Sequence, residues 1–131
     1  MAATLAVVHA LYYLAEAAGW RSGLHWRLGR RGVYSPELAA LLARGQPPRP
    51  PREALQKVRS LVSTLCRGEA ENCGYLVIAA AKLHAMERLG ISYEEAHITP
   101  PGLADRLRKT LQAHGLLAAR KETIITPVPR A

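Results

Sequence analysis

Leu5, Val8, Leu11, Tyr12 and Ala15 recur at steps of three and four residues. That spacing predicts a helix with its apolar stripe turned to a core, ending at Gly19. The period then changes to two. In LHWRL, Leu24, Trp26 and Leu28 alternate with His25 and Arg27, which predicts a strand with Trp26 inward and Arg27 outward. Gly29, Arg30, Arg31 and Gly32 supply a turn, and Val33 and Tyr34 begin a return strand. Ser35, Pro36 and Glu37 make a helix start: a hydroxyl to cap a free N–H, a proline suited to the first helical position, and a carboxylate at the positive end of the dipole. Leu38, Leu41 and Leu42 line one face of that helix before Gly45 stops it.

Four prolines, Pro47, Pro48, Pro50 and Pro51, then impose an extended segment and mark the best internal boundary. Beyond it, Leu55, Val58, Leu61, Val62 and Leu65 outline an amphipathic helix with Arg52, Lys57 and Arg59 on its exposed side. Residues 75–81 are apolar on nearly every side and predict a central buried helix. Ser92 and Glu95 have capping-box spacing and predict a short second helix. Thr99, Pro100 and Pro101 form a turn, and Leu103, Leu107 and Leu111 define a third helix closing at Gly115. Two short extended stretches follow, with Arg120, Lys121 and Glu122 at the reversal.

The expected fold is therefore mostly α with a small β component, in one compact domain of 131 residues. It subdivides into a helix-hairpin-helix part (1–45), a proline-rich linker (46–52) and a helical part (53–131). The order long helix, short helix, turn, amphipathic helix and basic-tipped hairpin, carried by LADRLRKTLQAHGLLAARKETIITPV, resembles a winged helix-turn-helix domain. The resemblance implies that the third helix enters the DNA major groove. Arg106, Arg108, Lys109 and Gln112 would then lie on or near its exposed face, with Arg120 and Lys121 at the wing tip. The TPPG turn is proline-rich for that family, and Asp105 sits on the reading helix. In the first half, GRRGVYSPEL is similar to a group of small prokaryotic proteins with the motif Tyr-Gly-Pro-Tyr-Ser-Pro-Glu-Leu. Gly32, Tyr34, Ser35, Pro36, Glu37 and Leu38 match it, and Arg31 and Val33 depart. This second resemblance implies shared architecture and no activity.

Charge sharpens the picture. The net charge is +8, distributed as +7 over residues 1–67, −3 over 68–98 and +4 over 99–131. Fourteen of the eighteen basic residues are arginine, which suits bidentate phosphate contacts. Such a balance points to a polyanion partner. Arg21, Arg27, Arg30 and Arg31, gathered with both tryptophans in residues 20–38, are either the solvated rim of a hairpin or a phosphate-binding edge. Trp20, between a helix-ending glycine and Arg21, is the candidate for stacking on a base. Tyr12 and Trp26 fall on apolar faces and are expected in the core.

Catalytic chemistry finds no constellation. His9, His25, His84, His97 and His114 show no HxxxH, HExxH or CxxC spacing, no glycine-rich phosphate loop is present, and Glu94 and Glu95 diverge as neighbours on one helix. The expectation is a protein that is not an enzyme, with no cofactor and no metal. His84, Cys66 and Cys73 read as ordinary core or surface groups. The two cysteines are too few for a disulfide framework and are expected as free buried thiols, the alternative being a bridge across the short segment they flank. The N-terminal run lacks a basic start and is too short to span a bilayer, so a cytoplasmic protein without membrane contact is expected. The function expected is nucleic-acid binding, by a winged-helix regulator or on single-stranded DNA or RNA; a homodimer is expected equally of a DNA-binding regulator and of an interaction subunit. The alternative is a protein-interaction subunit of a prokaryotic defence or toxin–antitoxin assembly.

Overall fold

The alternation around Trp26 folds as strand β1, His25–Gly29, with Trp26 and Leu28 buried and His25 and Arg27 exposed. The computed structural model describes residues 2–91, 98, 100–116 and 123–128. Strand β2, Gly32–Tyr34, returns antiparallel, setting Arg27 opposite Tyr34 and Leu28 opposite Val33. Strand β3, Ile124–Pro127, lies on the other edge of β1 and runs parallel to it, with His25 opposite Ile124 and Arg27 opposite Thr126. The second of the two extended stretches expected near the C-terminus is thus a strand of the N-terminal hairpin's sheet. The reversal with Arg120 and Lys121, and the helix expected from Ser92 and Glu95, lie outside the described residues.

Five helices are present among the described residues: α1 (Ala2–Ala17), α2 (Pro36–Ala43), α3 (Arg52–Leu65), α4 (Cys73–Leu89) and α5 (Leu103–Ala113). A single 3-10 turn, Ala70–Asn72, precedes α4. None of these helices is long and apolar enough to cross a membrane. Helices α1, α2, α4 and α5 end alike: the amide after Gly19, Gly45, Gly90 or Gly115 bonds back five residues, and the glycine, with positive φ, bonds back three. This left-handed cap satisfies carbonyls that the last turn would otherwise leave open. Ser35 caps α2 as its sequence predicts, its Oγ accepting from Leu38 N–H at 3.2 Å.

Helices α1 and α4 pack on each other and both meet β2, forming the layer behind the sheet. Helix α4 is the buried centre, with Leu76, Val77, Ala80, Ala81 and Leu83 among its core residues. Its alanines let neighbouring helices approach closely. Helices α3 and α5 pack on α4 and on each other through Leu61 and Leu65 of α3 and Leu103, Leu107 and Leu111 of α5. One buried cluster draws residues from both sides of the proline-rich segment. That segment lies along α1, where the Tyr12 hydroxyl donates to the Pro48 carbonyl at 3.0 Å.

Two expectations are corrected. The stripe Leu5, Val8, Leu11, Tyr12 and Ala15 is not the main core face of α1: Leu5 is 56% exposed, whereas Ala10, Tyr13 and Leu14 are at most 1% exposed. The helix is apolar nearly all round and is covered from several sides, so apolar spacing alone does not choose its most buried face. Cys66 and Cys73 are not free thiols but form a disulfide, because the end of α3 and the start of α4 bring their Cα atoms to 4.9 Å, within bridging range.

At the hairpin turn, Gly32 has φ of 124°, and a Cβ there would meet Ile78 Cγ2 of α4 at 3.0 Å. Both the backbone conformation and the closeness of α4 call for glycine. Gly32→Ala is therefore predicted to destabilise the fold by about 2 kcal/mol or more, read as a lower midpoint in urea unfolding.

Candidate nucleic-acid interface

The hairpin is held from behind by polar groups in a helix otherwise rich in apolar ones. His9, Tyr13 and Glu16 follow one another at i, i+4 and i+7 on α1, so they share a face over two turns, and all three are buried. His9 Nδ1 accepts from the Ser35 N–H at 3.1 Å, at the end of β2. Glu16 Oε1 accepts from Trp26 Nε1 at 2.9 Å and from the Ser22 hydroxyl, which itself accepts from Leu24 N–H at 3.0 Å. Tyr13 stacks edge-on against Trp26 and meets His84 of α4, hydroxyl to Nδ1 at 2.7 Å. The only hint of this seam in the sequence is that His9 and Glu16 interrupt an apolar run.

With its inner face fixed, the sheet presents its outer face to solvent. His25 and Arg27 of β1, Tyr34 of β2, and Ile124 and Thr126 of β3 lie on it, by the alternation of each strand and the observed register. Arg30 and Arg31 are exposed at the turn, and Arg21 is exposed in the segment leading to β1. Among the described residues, none of these four arginines enters an ion pair. Glu37, at the start of α2, is engaged: it accepts from the His25 N–H at 2.6 Å and lies 3.9 Å from the His25 ring.

Helix α5 differs. Its leucines face the core, and Arg106, Arg108, Lys109 and Gln112 are exposed as expected. Arg106, however, pairs with Glu69 and also reaches the Leu65 carbonyl, and Arg108 pairs with Glu87 at 3.4 Å. The first pairing lowers the Glu69 carboxyl pKa and raises that of the guanidinium through their hydrogen bond.

The two basic sets do not merge. Helix α4 touches the hairpin through Ile78, beside Gly32, and through Lys82, whose Nζ donates to the Arg30 carbonyl at 2.9 Å. It meets α5 through Glu87. Five residues on an α-helix turn about 140°, so Lys82 and Glu87 point to nearly opposite sides of α4, and the hairpin and α5 are held apart accordingly. Trp20, the stacking candidate, is half-buried and packs on Tyr12 with ring centroids 5.9 Å apart.

An open apolar groove of about 340 Å³ runs between α1, Pro50 and α3, with Arg59 as its one charged lining side chain. It offers no acid, histidine or thiol for catalysis. Among the described residues, no three His, Cys, Asp or Glu side chains converge to hold a metal. No protein-family model, curated protein or solved structure matches the chain.

Burial lowers the His84 pKa to about 4, against opposing effects of the Leu116 backbone and Glu87, and lowers that of His9. Burial likewise raises Tyr13, so at neutral pH its hydroxyl donates to a neutral His84. The remaining His84 nitrogen, Nε2, is buried without a completed hydrogen bond. Because the folded pKa lies below the unfolded one, the unfolded chain binds more protons between them. Stability is then full above pH 6.5 and falls as the pH drops towards 4. The predicted loss is about 3 kcal/mol from His84, with His9 acting in the same direction. Urea midpoints at several pH values check this, and His84→Gln should flatten the slope.

Proposed function

We propose that the protein binds nucleic acid and grips phosphates with the arginines of its hairpin. The observation that supports this is the contrast in commitment. Arg27 on the sheet, Arg30 and Arg31 at its turn and Arg21 in the segment before it are exposed and enter no ion pair among the described residues, while Glu37 is tied to the His25 N–H. Arginine forks at the rim of a fixed surface bind phosphate oxygens two at a time and lose little freedom in doing so. Four such contacts release condensed counterions, so affinity should fall steeply with salt.

A second reading keeps α5 as a helix that enters a DNA groove, in the manner of a winged helix-turn-helix domain. It is favoured by the burial of Leu103, Leu107 and Leu111, which leaves Lys109 and Gln112 on the outer side. Arg106 and Arg108 would first exchange Glu69 and Glu87 for phosphate or base, at modest cost, because exposed ion pairs contribute only about 0–1 kcal/mol.

The predicted slope of log affinity against log salt is about −3 for four phosphate contacts. Replacing Arg30 and Arg31 by glutamate should weaken binding by about tenfold or more and reduce that slope, with an unchanged melting temperature. Fluorescence anisotropy at several salt concentrations measures both. Salt-independent affinity, or an affinity indifferent to the double replacement, would contradict the hairpin reading.

A further inference from the structure

The outer face of the sheet carries more than charge. Tyr34, 38% exposed, stands directly opposite Arg27 in the β1–β2 register. The position a Cβ would take on Gly29 is 3.5 Å from Tyr34 Cε1, so the ring lies over the bare glycine and is supported from beneath by backbone. On the far side of Arg27 stands Thr126, and one step along, Ile124, 51% exposed, stands beside His25. An exposed aromatic ring, an arginine with no ion pair among the described residues and an exposed aliphatic side chain thus share one face of the sheet, with Arg30 and Arg31 at its edge.

Duplex DNA or RNA offers a surface like this its phosphates and the base edges in its grooves, but not its base faces, because its bases are stacked on one another. Single strands offer base faces as well, and these stack on aromatic rings and on guanidinium planes. Resting on the phosphate-binding reading above, we infer that the sheet's outer face is a platform for single-stranded nucleic acid, with a base on Tyr34, Arg27 beside it, and the strand's phosphates passing the Arg30–Arg31 turn. The occupant is fixed by charge complementarity together with the ring. Four exposed arginines that enter no ion pair among the described residues favour a polyanion, and an exposed tyrosine ring among them gives a flat apolar surface that a duplex would leave unused.

The test uses the full chain with labelled oligonucleotides of about 12 nucleotides, within the usual footprint of a single-strand-binding fold. The probes are single-stranded DNA, single-stranded RNA and the matching DNA duplex at equal salt. Tyr34→Leu keeps an apolar cover over Gly29 and removes the π-face, and Tyr34→Phe restores it. The expected result is tighter binding of a single strand than of duplex, a loss of about tenfold in Tyr34→Leu for the single strand alone, and near-normal binding by Tyr34→Phe. The comparison of the DNA and RNA arms shows which sugar the surface accepts. Salt-dependent binding that is equal for duplex and single strand, and unchanged in Tyr34→Leu, overturns the platform and leaves phosphate binding standing. Absence of binding to all three probes at low salt overturns both. A Tyr34→Leu loss shared equally by the duplex also overturns the platform, since stacking on a base cannot account for it.

Discussion

The polar seam on α1 is the constraint on which the candidate surface depends. His9 holds the end of β2, Glu16 holds Trp26 and the segment before β1, and Tyr13 between them meets α4. Burying such groups is unfavourable unless their hydrogen bonds are made, and a lost partner leaves a desolvated atom at a cost of about 1–3 kcal/mol. The hairpin therefore has one favourable way to sit on α1. Apolar packing alone would tolerate small shifts of a short two-stranded ribbon, whereas directional bonds to both of its strands do not.

The rest of the site follows from that placement. Once Trp26 is fixed inward, the alternation of β1 places Arg27 outward, and the register places Tyr34 and Thr126 on either side of it. The parallel pairing of β3 closes the second edge of β1 and joins the last described segment of the chain to its first strand. Helix α4 fixes the other boundary. Ile78 and Lys82 support the hairpin while Glu87 meets α5, which separates an uncommitted basic face from one whose arginines are already paired.

Much of this could be read from the residues. Strict alternation announced β1 and the burial of Trp26, the Ser-Pro-Glu start announced α2 with its cap, and leucines at four-residue steps announced α5. These are local signals, and local geometry obeys them. The errors lie where a local pattern is degenerate. On α1 nearly every position is apolar, so the spacing named one stripe while the polar residues His9 and Glu16 marked the face buried most deeply. The pairing of β3 with β1 joins residues about one hundred positions apart, and no periodicity encodes a partner at that distance. The disulfide depended on how closely α3 and α4 approach across the turn. Of the candidate site, the exposure of the arginines was legible, but their ion pairs were not, because Glu69 and Glu87 lie on other elements. The outward face of Tyr34 is not legible, because a short return strand says nothing about which of its residues faces out until its register is known.

The central claim is that nucleic acid meets the hairpin's outer face. Backbone amide shifts recorded by NMR during titration with a single-stranded oligonucleotide test it directly. The account predicts perturbations concentrated at Arg27, Arg30, Arg31, Tyr34 and Thr126, with Lys109 and Gln112 of α5 little changed. Perturbations confined to α5, with the hairpin amides unmoved under saturating oligonucleotide, would contradict it.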